Sequence, residues 1–467
     1  MEPQTSQKSL LAAIVAAGVS AWLLWRRRRW RRLPPGSSWS LPLLGETLAY
    51  IRDPLGFIEG KLSQYGGTCS SHLLFSPTVI LAVTDANTKL LFSEKNLAWP
   101  LHFRKLVGLK SLPMVNDPLH KTIRTLSSRA FVDRQLDSYL PCLQRLSAKH
   151  LQLWLDVEGR TSRDLHLEIK KYAFECGEAV ILGVENGGPK SDRFMQLFEE
   201  TFKGLGYVLP LDIPGFPFHQ CMKAREALVQ EFQDLIEKKR KKLKDPCRMF
   251  QINTMLDTML QADEMNGEDE LSDFCVAMMF AGHDTTLCSI QSCLYWLKEL
   301  PSVEALLRQE VREVWDGESR VTRRILDSAH QTRAFLQEVW RMTPPVQVTS
   351  RKLREDTEVD GYVVPKGWTL LYAPAGRHSK AEDCKSFLIQ RHLRDGKFID
   401  STFDPTYFAS FGGGNRMCIG YKFARDELLV FLLHFLRDFD VKLTNSQLQR
   451  FPFHFWRLEG TVHRADG

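Results

Sequence analysis

The ten cysteines of this 467-residue chain include no Cys-x-x-Cys pair and no small-scaffold framework. They stand singly, which excludes a disulfide-stapled fold and fits free thiols in a reducing compartment. The sequence also lacks a distributed basic surface. Its net charge is +6, and the cluster Arg26, Arg27, Arg28, Arg29, Arg31 and Arg32 accounts for it, leaving the rest near neutral. No nucleic-acid partner is expected on that charge balance. There is no internal repeat, and no second composition regime follows residue 38. With 43% hydrophobic and 25% charged residues, the chain can bury a substantial core in one large domain.

One apolar stretch is present at the N-terminus. Leu10 to Trp25 carries no charge and the arginines follow at once. As a helix, sixteen residues reach about 24 Å, slightly short of a bilayer core. Trp22, Trp25 and Trp30 suit the interface, and the flanking arginines place the remainder of the chain on the cytosolic side. A signal peptide carries its charge before the apolar run, and an organellar leader is acid-poor, whereas Glu2 is present here. Residues 1–25 are therefore expected to be a signal-anchor transmembrane helix touching membrane lipid through residues 10–25. Residues 26–37, ending in Leu33-Pro34-Pro35-Gly36-Ser37, are a basic and Pro/Gly-rich hinge, and 38–467 form the main domain.

Within that domain, residues 63–95 show short β-rich runs such as Val79 to Val83. From 120 to 340 apolar residues recur at three- and four-residue steps, the helical period. Strand signals return over 346–375. The run Glu237 to Lys242 reads as the solvated end of a helix. The expected fold class is mainly α with a smaller β portion.

Residues 411–420 read Phe-Gly-Gly-Gly-Asn-Arg-Met-Cys-Ile-Gly. Glycines admit positive φ and close backbone approach, so this loop can aim amides at the Cys418 sulfur. Such donors favour thiolate, the form that ligates metal. Taken alone, Cys418 reads first as a structural thiol beside a glycine turn, the usual fate of a free cysteine. The pattern Phe-x-x-Gly-x-Arg-x-Cys-x-Gly resembles the haem-ligand loop of the cytochrome P-450 monooxygenases. Upstream, Ala281-Gly282-His283-Asp284-Thr285-Thr286 lies in a helical stretch from Ser272 to Glu299. A glycine followed by polar residues is unfavourable in mid-helix, and a threonine there can bond back to the preceding turn. This hexapeptide is similar to the family's oxygen-activation segment; alone it also fits a kinked helix with a buried aspartate. His283 is read as a helix side chain packed away from the haem. Glu338-Val339-Trp340-Arg341 sets an acid and a base three apart on one face, 77 residues before Cys418.

The resemblance implies a single-domain cytochrome P-450 fold behind the anchor, with haem b bound through Cys418 as axial ligand of the iron. It implies cofactor contacts at Arg124, Arg351, Arg416, Phe411 and Gly414, with catalytic roles for Thr285 and Asp284 in holding water and supplying protons. Glu338, Arg341 and Arg391 form a structural network in the family. NADPH enters indirectly through an NADPH–cytochrome reductase, and the endoplasmic-reticulum membrane is the implied location, with the catalytic domain facing the cytosol. The glycine-rich loop, Pro365-Lys366-Gly367-Trp368 and Pro34-Pro35-Gly36 resemble the branch oxidising sterols, terpenoids, abscisic acid and retinoic acid, so a hydrophobic isoprenoid substrate is expected. The substrate pocket is expected to draw its walls from 101–115, 205–218, 276–285 and 345–350. A haem-thiolate isomerase or dehydratase is the alternative within the fold.

One segment departs from the family. Its Phe-x-Pro-x-Arg-Phe becomes Phe387-Leu388-Ile389-Gln390-Arg391-His392, keeping the arginine and losing the proline and last aromatic. Residues 381–386 also lack expected prolines. This raises a further alternative, a haem-binding relative with impaired catalysis.

Overall fold

A 32-residue helix, α7 (Glu268–Glu299), runs through the centre of the structure. At 1.5 Å per residue it is roughly 48 Å long. Glu268, Asp269 and Glu270 occupy its first turn, where carboxylates complement the helix dipole, and Pro301 follows its end. It is buried nearly all round, as a core helix must be. It starts four residues before the sequence-based boundary because Gly267 caps an acidic turn that carries no apolar periodicity. The structure is a computed structural model. It describes residues 33–36, 45–73, 76–92, 97–155, 162–184, 189–207, 210–243, 254–262, 267–373, 376, 383–402, 409–450 and 453–465. The anchor expected at 1–25 lies outside them. Among the described residues no helix is long and apolar enough to cross a membrane.

Against α7 pack α4 (Leu165–Gly177) and α9 (Tyr421–Asp438), and α3 (Asp133–Trp154) packs on those two, all joined in one apolar core. Two antiparallel helices, α5 (Pro189–Phe202) and α6 (Pro217–Leu243), lie over the same core. The last turn of α6 carries Arg240, Lys241 and Lys242, so the basic run ends a helix, with Lys241 paired to Glu237 at 2.7 Å. The short helices α1 (Leu101–Val107) and α2 (Leu119–Ser128) precede α3, and α8 (His330–Met342) bears the Glu338–Arg341 pair.

The β portion is a five-stranded sheet, built from β1 (Cys69–Leu73), β2 (Ser76–Ile80), β3 (Leu97–Ala98), β4 (Thr349–Leu353) and β5 (Thr369–Tyr372). Its order is β1-β2-β5-β4-β3, with β2 and β5 parallel and the other pairs antiparallel. Side chains alternate across it. Val79, Leu370 and Tyr372 enter one small core, and Ile80, Leu371 and Leu73 enter another. A hairpin of β6 (Phe439–Gln449) and β7 (Phe455–Arg464) closes the chain.

Asp273 of α7 fixes the helices that border the site. It accepts from the Lys110 amide at 2.9 Å and from Arg225 of α6 at 2.5 Å, while Arg225 also donates to the Leu106 carbonyl at 3.0 Å. Gly108, just past α1, sits against this carboxylate with φ 113°, a backbone region that favours glycine. A Cβ there would lie 2.4 Å from the Asp273 carboxylate. Gly108→Ala is expected to cost about 1–3 kcal/mol and to lower the thermal unfolding midpoint. Gly60→Ala, on an exposed helix face where a Cβ meets nothing within 4 Å, should leave it level or raise it.

Candidate active site around Cys418

The cysteine loop is folded by its glycines. Gly412 and Gly414 take φ of 73° and 60°, and the chain turns back so that the Cys418 amide donates to the Phe411 carbonyl at 2.8 Å. Many protein atoms surround the thiol, yet Cys418 as a residue is exposed. Burial pushes its pKa up, against the Gly420 amide and the Arg124 charge, which pull it down. The loop amide therefore acts in the expected direction, toward thiolate, and burial opposes it; a metal cation held there would add to the side of the thiolate.

Three arginines expected at the cofactor have different surroundings. Arg124 of α2 donates to the Met417 carbonyl at 2.8 Å, so its charge lies beside the loop. Arg351 of β4 donates to Thr349 Oγ1 and the Ser350 carbonyl, both at 2.8 Å, and covers the Trp99 ring at 3.7 Å. Burial lowers its pKa to about 10. Neither pairs with a carboxylate among the described residues. Arg416 instead clamps the segment after α1, donating to the carbonyls of Leu112 at 2.9 Å and Val115 at 2.5 Å. An accessible thiol, positive-φ glycines and two desolvated guanidinium groups fit a flat, iron-bearing group with two carboxylates, as haem is.

Helix α7 stays helical through 281–286. Ala281 is exposed in mid-helix, so this turn presents an open side. Thr285 Oγ1 donates to the Ala281 carbonyl at 2.6 Å, the expected back-bond. The Asp284 carboxylate lies 2.9 Å from His283 Nδ1. His283 itself is buried toward α4, with Nε2 at 3.2 Å from the Lys170 carbonyl and its ring edge-on to Phe174 and Phe198.

Two connections tie this turn to the cysteine loop and to the helix α9 that follows it. Ser289 donates to the Thr285 carbonyl at 2.7 Å and accepts from Trp340 Nε1 at 3.0 Å, and the Trp340 ring meets Phe411 edge-on at 4.8 Å. Thr286 Oγ1 donates to Glu427 of α9 at 3.1 Å. Burial raises the Glu427 pKa to about 8, which keeps it protonated at neutral pH. Sequence reasoning missed Ser289, Trp340 and Glu427. For Glu427 the one signal in the sequence was an acid opening the apolar run Leu428 to Leu433.

The atypical segment supports the loop after all. Glu338 is fully buried and accepts two bonds from Arg341, at 2.7 and 2.8 Å, and one from the Leu388 amide at 2.9 Å. Its Oε2 also lies 3.0 Å from His392 Nε2, and Arg391 Nε approaches Oε1 at 3.5 Å. Arg341 further donates to the carbonyls of Cys384 and Ser386, at 2.8 and 2.9 Å. The imidazole that replaces the aromatic thus adds a polar contact to the carboxylate. Residues 381–382 lie outside the described ones.

The sequence profile of the cytochrome P450 family matches residues 34–461. The chain is similar to Cytochrome P450 26A1 of Danio rerio, 28% identical over 89% of this chain and 86% of that protein. It is similar to Taxane 13-alpha-hydroxylase of Taxus cuspidata, 27% identical over 91% and 89%. It is also similar to Abscisic acid 8'-hydroxylase 2 of Arabidopsis thaliana, 27% identical over 92% and 89%. A solved structure, "Retinoic acid bound cyanobacterial CYP120A1", superposes with a TM-score of 0.80 at 26% identity, covering 93% of this chain and 99% of that one.

The buried carboxylate gives a measurable prediction. Its donors hold the Glu338 pKa down to about 2, despite burial, from an ordinary 4.5. Its stabilising contribution is full above the unfolded value and fades as pH falls from about 4.5 toward 2. Glu338→Ala should cost about 3–5 kcal/mol at neutral pH, and the deficit against wild type should shrink over that acid window. His392→Phe, which removes one partner, should cost less, about 1–3 kcal/mol. Denaturant unfolding at several pH values measures both; a deficit constant from pH 7 to pH 3 would contradict the assignment.

Proposed function

Because the chain belongs to the cytochrome P450 family and is a monooxygenase of that kind, we propose that it hydroxylates an apolar isoprenoid, a terpenoid, sterol or related ring system, with electrons from NADPH delivered by a reductase. The observation that carries the assignment of roles is the pairing of an accessible Cys418 with the open turn at Ala281–Thr285 through Ser289, Trp340 and Phe411. Haem, held through Cys418, supplies the oxygen-activating chemistry, and thiolate ligation favours O–O cleavage.

The protein's own part is placement and proton control. Arg124 and Arg351 are assigned to the haem carboxylates, whose charge compensates guanidinium groups that otherwise lack a carboxylate partner among the described residues. Phe411 and Gly414 shape the loop that would hold the haem, and Arg416 braces that loop against residues 112–115. Thr285 donates its hydroxyl hydrogen bond to the Ala281 carbonyl, which leaves the hydroxyl oxygen as an acceptor for water on the open side. Asp284 is steered by His283 and is placed to pass protons toward that water. Trp99, Phe103, Phe280 and Phe202 form an aromatic wall, with ring centroids 4.4 to 6.0 Å apart in successive pairs. Such a wall excludes water and suits a hydrocarbon body.

The relatives named for taxane and abscisic acid hydroxylation, and the structure named for bound retinoic acid, point to the same substrate class. Residues 1–25 as signal anchor, 26–37 as hinge and 38–467 as catalytic domain at the cytosolic face of the endoplasmic reticulum complete the proposal, on the strength of Leu10–Trp25 and the arginines after it.

Turnover of the full chain with a reductase and NADPH, across terpenoids, sterols, retinoids, fatty acids and aromatic amines, tests the reading. Hydroxylation confined to isoprenoids is expected, and activity only on fatty acids or amines contradicts it. Thr285→Ala should cut product formation by about 10²-fold while NADPH consumption continues. Unchanged product yield per NADPH would remove Thr285 from the proton path.

A further inference from the structure

Helix α1 divides its side chains between two environments. Phe103 meets Phe280 of α7 at 6.0 Å and Trp99 at 4.9 Å. Leu101, His102 and Lys105 instead line an open cavity of about 460 Å³, bordered on another side by Ser350 and the exposed Lys352 of β4 and by Phe218 of α6. Alternation along β4 puts Arg351 on the opposite face from Ser350 and Lys352. The cavity is therefore distinct from the surroundings of Arg351 and Trp99, and α1 is the wall it shares with the aromatic pocket.

Charge in this cavity is unbalanced. Lys105 has Asp212 at 3.4 Å, and that carboxylate is shared with His219 at 2.9 Å. Lys352 has no carboxylate partner among the described residues. Its charge reaches His102, whose pKa is lowered first by burial and then by Lys352. His102 thus offers a neutral ring with an N–H donor at neutral pH. Two ammonium groups and an imidazole at an otherwise largely apolar cavity, against one shared carboxylate, complement an anion with an apolar body. The volume lies in the range of small-ligand sites.

We propose that this cavity is an outer recognition site for the acid end of a lipophilic carboxylate substrate, with Lys105, Lys352 and His102 meeting the carboxylate and Leu101, Leu371 and Phe218 meeting its hydrocarbon. The proposal rests on the isoprenoid-hydroxylase reading and narrows it to isoprenoid acids.

Retinoic acid and its methyl ester share one hydrocarbon and differ in charge. Equilibrium dialysis of each against the full-length holoenzyme in neutral detergent should show the acid bound more tightly, on the order of tenfold. The Lys105→Gln/Lys352→Gln double variant should bring that ratio close to one, and Lys352→Glu alone should put the ester ahead; haem content reports whether each variant has folded. Equal binding of acid and ester to wild type overturns the proposal, as does a preference that survives in the double variant. If the double variant loses binding to phosphatidylserine vesicles while the acid-to-ester ratio stays put, the lysines read a lipid headgroup and the proposal falls. Hydroxylation of the ester or of neutral terpenoids with no advantage for the acid removes the anion site and leaves the isoprenoid reading standing. Binding of no isoprenoid, charged or neutral, removes both.

Discussion

Burying a carboxylate without partners is among the most unfavourable acts in a protein core, and Glu338 is fully buried. Its donors come from two places distant in sequence: Arg341 on its own helix, and Leu388 and His392 on the segment that comes after the sheet. Satisfying that one group fixes α8 against residues 383–392. With α8 fixed, Trp340 is held between Ser289 of α7 and Phe411 of the cysteine loop, so both sides of the site take their spacing from it. The departure from the family's usual segment leaves this arrangement in place. Imidazole keeps a flat ring at the position and supplies a nitrogen to the carboxylate.

The site is organised around groups that are incomplete by themselves. Cys418 has its pKa raised by burial although a guanidinium stands nearby, and Arg351 is desolvated enough to lower its own. A thiol whose pKa burial raises and two half-buried arginines without carboxylate partners among the described residues suit the external cation and external anions of the proposed haem. The opposite side is quieter. Asp284 and Thr285 have local partners, and burial pushes the Glu427 carboxyl behind Thr286 toward its neutral form, which keeps charge away from the helix turn proposed to face the substrate.

Much of this was legible in the sequence where the signal is local. The long helix showed in periodicity and in the misplaced glycine of its middle turn. The helix-ending basic run, the strand Ser76–Ile80, whose last two residues open the β-rich run 79–83, and the Glu338–Arg341 pair all depend on residues a few positions apart. What escaped depends on contacts between distant positions. His392 lies 54 residues from Glu338, Trp340 lies 51 from Ser289, and Glu427 lies 141 from Thr286. No period or propensity encodes such pairs. The burial that opposes the amide donors at Cys418 escaped for another reason: donors are visible as glycines, whereas burial is set by the whole fold. The N-terminal apolar run remains a matter of sequence, since it lies outside the described residues.

The central claim is that Cys418 is the axial ligand of a haem. Reduced, carbon-monoxide-treated absorption spectra of the full chain and of Cys418→Ala, prepared with haem, test it most directly. Thiolate ligation predicts a red-shifted Soret band in the wild type and its loss in the variant. A band of that kind in both proteins, or a histidine-type band in both, would contradict it.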